Sequence, residues 1–206
     1  MICKSDQIAN LLRSPPEKQH DRLIIRPQPN LEELEKSGAA SVDLRLGTWF
    51  VSLRHTRFPA LHIDDTPNVA ANNAKLSKAQ FVPFGKEFIL QPRGFVLGVT
   101  LEWIRLPSNL AGYVIGKSSW GRRGLIIATA AGVHPGFTGC LTLELSNVGE
   151  IPIAIKPGIP ICQVFLHTTE QTDLVDKSAF VGQRRPTLGK VELDDVARKL
   201  AKGQPL

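Results

Sequence analysis

PGFTGCLTLELSNVGEIPIAIKPGIPICQVFLH (135–167) decides the fold class of this chain. Leu141, Leu143 and Leu145 alternate with Thr142, Glu144 and Ser146, the period of a strand with one face buried. Gly, Pro and Asn then punctuate the run, and IPIAIKPG and IPICQVFLH follow within a few residues. Working backwards from it, FVPF, KEFILQP, GFVLGVTLEWIRLP, AGYVIGKSS and GLIIATAAGV keep the same texture from about residue 81. Short strands at this spacing predict a mainly β protein, a sandwich, jelly roll or barrel, rather than a parallel α/β sheet.

The flanks differ from this core. SDQIANLLR (5–13) puts Ile8, Leu11 and Leu12 at helical spacing, with Ser5 or Asp6 as cap and Pro15 and Pro16 as stop. LEELEKSG (31–38) predicts a helical turn ended by Gly38, and ASVDLRLGTWFVSL (40–53) predicts a strand. Residues 54–80 are polar and irregular and predict a long loop. Beyond 168 the chain is polar again, and VELDDVARKLAKG (191–203) predicts a final helix with Leu193, Val196 and Leu200 as its apolar stripe. The organisation expected is one domain over 1–206: an N-terminal helical segment (1–39), a β core (40–167) and a tail (168–206) able to fold over a ligand.

Composition narrows the function classes. With 206 residues, 42% of them hydrophobic, the chain can bury a core. Lys and Arg number 25 against 19 acids, a net charge of +6. No basic run suggests a nucleic-acid stripe, so a pocket for a nucleotide polyphosphate is the better match, with no nucleic-acid polymer and no membrane as partner. Three scattered cysteines indicate no disulfide framework. With no apolar run near the ~18 residues a membrane span needs, a soluble cytoplasmic protein is expected.

Two features stand out chemically. In GKSSWGRRGL (116–125), Lys117, Arg122 and Arg123 supply charge and Ser118 and Ser119 hydroxyls. Such a segment holds phosphate oxygens, or is simply a basic turn between strands. Its glycine spacing is not that of a P-loop. Glu144 is an acid in mid-strand, either facing solvent or half-buried and placed for general acid–base work. Phe137, in the PGFTG turn, either stacks on a base or plugs the core. Zinc is disfavoured as a catalyst, since no C-x-x-C occurs in the chain.

From KEFILQPRGFVLGVTLEWIRLP through GKSSWGRRGL, PGFTGCLTLELSNVGEIPIAIKPG and CQVF, with SVDLRLG (41–47) before them, the chain resembles the dCTP deaminases, over about residues 40–167. The resemblance implies a distorted jelly roll of the dUTPase-like type and a homotrimer with active sites at subunit contacts. It implies hydrolysis of dCTP to dUTP and ammonia, which feeds thymidylate synthesis, and partners among dCTP, dUTP and dTTP-type nucleotides. Magnesium accompanies the triphosphate and no zinc is used. Glu144 matches the glutamate that activates water. Ser118 and Arg122 match the catalytic serine and arginine beside it, and Lys117 and Ser119 match phosphate-binding positions. Ala130 and Ala131 match the backbone that reads the cytosine edge, Phe137 an aromatic near the base, and Gln183 a tail glutamine on the triphosphate.

Two departures accompany the match. His134 stands where the family usually carries an Asp, against dUTPase activity and altering the sugar contact. In the tail, Ala179 and Phe180 stand where Lys and Tyr are usual, with Lys177 as a substitute cation. The alternatives are therefore a weakly catalytic nucleotide-binding regulator, and a dUTPase or bifunctional deaminase–dUTPase.

Overall fold

The computed structural model describes residues 1–13, 21–54, 75–129, 131–171, 181–189 and 194–204. The architecture is antiparallel β throughout. Strand β6 (Phe95–Arg105) is the spine of the larger, six-stranded sheet. Along its length β10 (Thr138–Asn147) pairs with it. On its other edge lie β1 (Ile24–Arg26) at one end and β3 (Trp49–Leu53) at the other. Strands β4 (Ser77–Phe81) and β8 (Leu125–Ile127) complete the sheet. A four-stranded sheet runs β2 (Val42–Arg45), β12 (Pro160–Thr168), β7 (Leu110–Gly116) and β9 (Gly132–Val133). A two-stranded ribbon pairs β5 (Phe88–Leu90) with β11 (Ile153–Ile155).

The alternation read from 141–146 is what the strand uses. Leu143 and Leu145 are fully buried, while Thr142, Glu144 and Ser146 lie on the half-exposed face. Leu44 and Leu46, Val164 and Leu166, and Ile104 and Leu106 join the same core. Phe50 stacks on Phe88 with centroids 4.6 Å apart, a contact worth about 1 kcal/mol beyond its buried area.

Four local expectations change. The run 40–53 is two strands in different sheets, broken at Gly47. There the chain passes so close to β6 that an added Cβ would sit 3.0 Å from the Val99 carbonyl, and the Gly47 N–H donates to that carbonyl at 2.7 Å. Within 54–80, residues 77–81 form a strand on β3, so the loop is shorter than expected; 55–74 lie outside the described residues. The N-terminal segment is not purely helical, because Ile24–Arg26 extends the sheet beside β6. Its first helix, α1 (Ser5–Arg13), already contains Ser5, and Leu11 is exposed while Ile8 and Ala9 are buried. The second, α2 (Leu31–Lys36), is capped by Asn30, whose side chain accepts from the Glu32 and Glu33 N–H groups.

The C-terminal helix Asp195–Ala201 forms, with Asp194 capping it through the Ala197 N–H, but Val196 and Leu200 are exposed rather than packed. Leu193 lies outside the described residues. Among those residues no helix is long and apolar enough to cross a membrane.

Candidate active site

Glu144 faces a cavity of about 360 Å³ on the outer side of the larger sheet. Thr129, His134, Phe137 and Thr142 line it with Glu144. Strand pairing explains the grouping. Leu145 is opposite Ile127, so the chain leaving β8 runs beside Glu144. The Ala128 N–H donates to the Glu144 carbonyl at 2.9 Å, and the Glu144 N–H donates to Thr129 Oγ1 at 3.2 Å. Both bonds come from the segment that leaves β8, and they fix the backbone of Glu144. Among the described residues its carboxylate has no ion-pair or hydrogen-bond partner.

The far wall is the turn His134–Gly139. The Phe137 N–H donates to the His134 carbonyl at 3.2 Å, and the Leu106 N–H to the Phe137 carbonyl at 2.9 Å. These bonds hold the half-buried Phe137 between core and cavity. His134 is exposed on the rim. Ala131 is also exposed, beside the cavity-lining Gly132, with its carbonyl accepting from the Val114 N–H at 2.9 Å. Ala130 lies outside the described residues.

Part of the tail closes this cavity. Residues 181–189 cross the start of β10: the Gly182 N–H donates to the Thr138 carbonyl at 2.6 Å, and the Cys140 N–H to the Gln183 carbonyl at 2.8 Å. Gly139 makes this approach possible. It sits at φ +148°, and a Cβ there would be 3.2 Å from the Gln183 carbonyl. Val181, Thr187 and Leu188 then enter the cavity lining, and Thr187 Oγ1 donates to Gln183 Oε1 at 3.1 Å. Lys177, Ala179 and Phe180 lie outside the described residues.

The 116–125 segment is elsewhere. Ser118–Gly121 form a short helix, pinned by Trp120 Nε1 donating to the Pro160 carbonyl at 2.8 Å. Ser118, Ser119 and Arg122 are exposed. Lys117 is paired with Asp43 at 2.5 Å. Among the described residues, none of 117–122 lines the Glu144 cavity. One chain therefore joins Glu144, His134, Phe137 and the tail, and leaves Lys117, Ser118, Ser119 and Arg122 apart from them.

Sequence reading missed Thr129, Thr187 and Leu188. Thr129 reaches Glu144 only through the β8–β10 pairing, and the two tail residues only through docking at Gly139; neither contact has a local signature. Among the described residues no three His, Cys, Asp or Glu side chains converge as metal ligands.

Residues 4–169 match the family model described as dCTP deaminase-like. A dCTP deaminase, dUMP-forming, from Dictyoglomus turgidum is 38% identical over 180 residues, covering 84% of this chain and 89% of the relative. A dCTP deaminase from Halorubrum lacusprofundi is 41% identical over 143 residues, 69% of this chain and 68% of the relative. A dUMP-forming relative from Mycobacterium leprae is 42% identical over 155 residues, 72% and 78% of the two chains. In fold, the chain is similar to the crystal structure of 2'-deoxycytidine 5'-triphosphate deaminase from Agrobacterium tumefaciens. The TM-score is 0.56 at 20% identity, over 80% of this chain and 46% of that one.

Proposed function

The chain belongs to the dCTP deaminase-like family, and we propose that it converts dCTP and water to dUTP and ammonia, with Glu144 as the proton carrier. The observation that carries this reading is an unpaired carboxylate, held by two backbone bonds, in a cavity with an aromatic ring on its wall. Glu144 takes a proton from water, and the hydroxide oxygen bonds to C4 of the cytosine. Glu144 delivers that proton to ring N3, then carries the proton of the new C4 hydroxyl to the 4-amino nitrogen; the C4–N bond breaks, and ammonia leaves as the C4 carbonyl forms. Phe137 flanks the base, and backbone near Ala130 and Ala131 reads its edge. Gln183, with the tail segment, helps to hold the triphosphate.

The chemistry is zinc-independent in this reading, because the chain lacks the cysteine pair of the zinc deaminases. Magnesium enters with the triphosphate as its counter-ion. The described residues do not fit it as a resident ion, since no carboxylate cluster is present to hold it, and no step depends on it.

What one chain lacks supports an oligomer in this reading. Ser118 and Arg122 lie off the Glu144 cavity, and the outer face of the four-stranded sheet exposes about half of Tyr113 and Ile115. Burying that face against a second copy would bring Lys117, Ser118, Ser119 and Arg122 of one protomer to its partner's cavity, where the serines and cations meet phosphate and developing charge. The assembly expected is a homotrimer. Light scattering should return three times the 22.6 kDa chain mass; a monomer at working concentration would remove this part of the reading.

The names of the D. turgidum and M. leprae relatives favour a second reading, in which the same chain goes on to dUMP. His134, in place of the usual acid, favours stopping at dUTP. Incubation with dCTP and magnesium, with ammonia measured and nucleotides resolved, separates the two. Ammonia with dUTP fits the first, ammonia with dUMP and pyrophosphate the second. Binding without ammonia would leave a nucleotide-binding regulator.

A further inference from the structure

A second cavity, of about 550 Å³, lies on the same sheet face as the Glu144 cavity and shares Cys140 with it as a wall. The register explains the adjacency: Arg26, Trp103 and Cys140 are opposite one another across β1, β6 and β10. Trp49 closes another side, and Arg184, from the 181–189 segment, comes in from above. Two more guanidinium groups back these rings. Arg185 lies over Trp49 at 4.0 Å from the ring centroid, and Arg105 over Trp103 at 5.8 Å.

The charges here are not neutralised. Among the described residues none of Arg26, Arg105, Arg184 and Arg185 forms an ion pair, and Arg26 meets only the neutral Gln28. Glu102, the carboxylate beside Cys140, is buried and faces Arg45. Arg26 and Arg184 line the concavity, Arg105 and Arg185 lie over its two tryptophan rings, and positive charge without an ion-pair partner among the described residues favours entry of an anion. The volume is that of a small-molecule pocket. Trp49 is already covered by Arg185 and by Phe81, at 5.2 Å between ring centroids. Trp103 carries only the more distant Arg105, at 5.8 Å, and is the ring with more room for a flat ligand.

We propose that this cavity is a second binding site, for a nucleoside triphosphate, with the phosphate chain on Arg26 and Arg184 and the base against Trp103. It goes beyond the deaminase reading and does not depend on it. Stacking on tryptophan tolerates any base, so the site takes purine as well as pyrimidine nucleotides. Because Arg184 belongs to the segment that also covers the Glu144 cavity, a nucleotide bound here ties that segment down over both.

Equilibrium dialysis of the full chain with ATP and magnesium tests the site. About one ATP per chain is expected. Arg26→Ala should weaken it about tenfold, and Arg26→Ala with Arg184→Ala further; both side chains are exposed and neither forms an ion pair among the described residues, so the fold should survive. Trp103→Leu should weaken ATP but not inorganic triphosphate, which should bind at least fivefold less tightly than ATP to the unaltered protein. Initial rates on dCTP are measured alongside, in the absence of ATP. ATP binding unmoved by the arginine variants would overturn the site. Equal affinity for inorganic triphosphate and ATP would overturn the nucleoside part. A single-stranded oligonucleotide that displaces ATP and binds tenfold more tightly would replace the proposal with a nucleic-acid groove. Absence of dCTP turnover would count against the deaminase reading alone, because ATP retention is read separately.

Discussion

The same tripeptide, Thr-Leu-Glu, occurs at 100–102 on β6 and at 142–144 on β10, and the two copies meet opposite fates. In the second, Leu143 is buried and Glu144 looks into a cavity. In the first, Glu102 is 1% exposed and Leu101 is the half-exposed residue. The difference is the alternation of β6. Cys140 is opposite Trp103 and Glu144 opposite Leu97, so the odd-numbered residues of β6 share the face of Glu144, and Glu102 points the other way with Thr100 and Ile104; the two extra residues that β6 holds between Val99 and Trp103 leave that parity unchanged. Thr100 Oγ1 fills the resulting gap, donating to the Glu102 carbonyl at 2.9 Å and accepting from the Leu141 N–H at 2.9 Å. Turned inward, the Glu102 carboxylate accepts from the Arg45 N–H at 2.7 Å and from its guanidinium at 3.2 Å. One glutamate is tied to Arg45, and the carboxylate of the other has no partner among the described residues.

Exchanging what each glutamate can do breaks the comparison most sharply at Glu144. Glu144→Gln keeps size and hydrogen-bonding capacity but removes the proton acceptor. Deamination of dCTP should fall about a thousandfold, with unfolding free energy within about 0.5 kcal/mol of the original. Quench-flow ammonia release beside urea denaturation reads both. Near-normal turnover would end the assignment of Glu144 as base.

Glu102→Ala should do the reverse. It strips the Arg45 N–H of its acceptor and empties a closed site, a loss of about 3 kcal/mol. Its effect on the chemical step, measured well below the unfolding transition, should be small. A large fall in kcat with unchanged stability would mean that Glu102 acts on the site.

How much of this could be read in advance follows from the same pair. The β class and the buried leucines of 141–145 are local patterns, and periodicity carries them. The inward turn of Glu102 follows the alternation of β6, but its pairing with Arg45 of another strand is not local. The split at Gly47 is of the same kind, since only the approach of β6 requires it. Glu144 itself had an ordinary reading as a solvent-facing acid, and the resemblance of the surrounding motifs singled it out. The separation of Ser118 and Arg122 from Glu144 within one chain was also invisible, because spacing along a sequence does not say which segments the fold brings together.

The smallest effect expected is in pH dependence. Burial raises the Glu102 carboxyl above its ordinary 4.5, against the lowering influence of the Arg45 contacts. The folded chain therefore holds this proton at pH values where the unfolded chain has lost it. The associated stability is complete below the unfolded value and is lost as pH rises through the higher folded one. Glu102→Gln has no proton to lose there. Its melting temperature should lie near that of the unaltered protein at the acid end and pull ahead as pH rises out of the ordinary carboxyl range. Calorimetry across that range reads the divergence. Parallel curves would mean that Arg45 already balances the cost of burial, and that the two Thr-Leu-Glu segments differ in geometry but not in the energy of their charge.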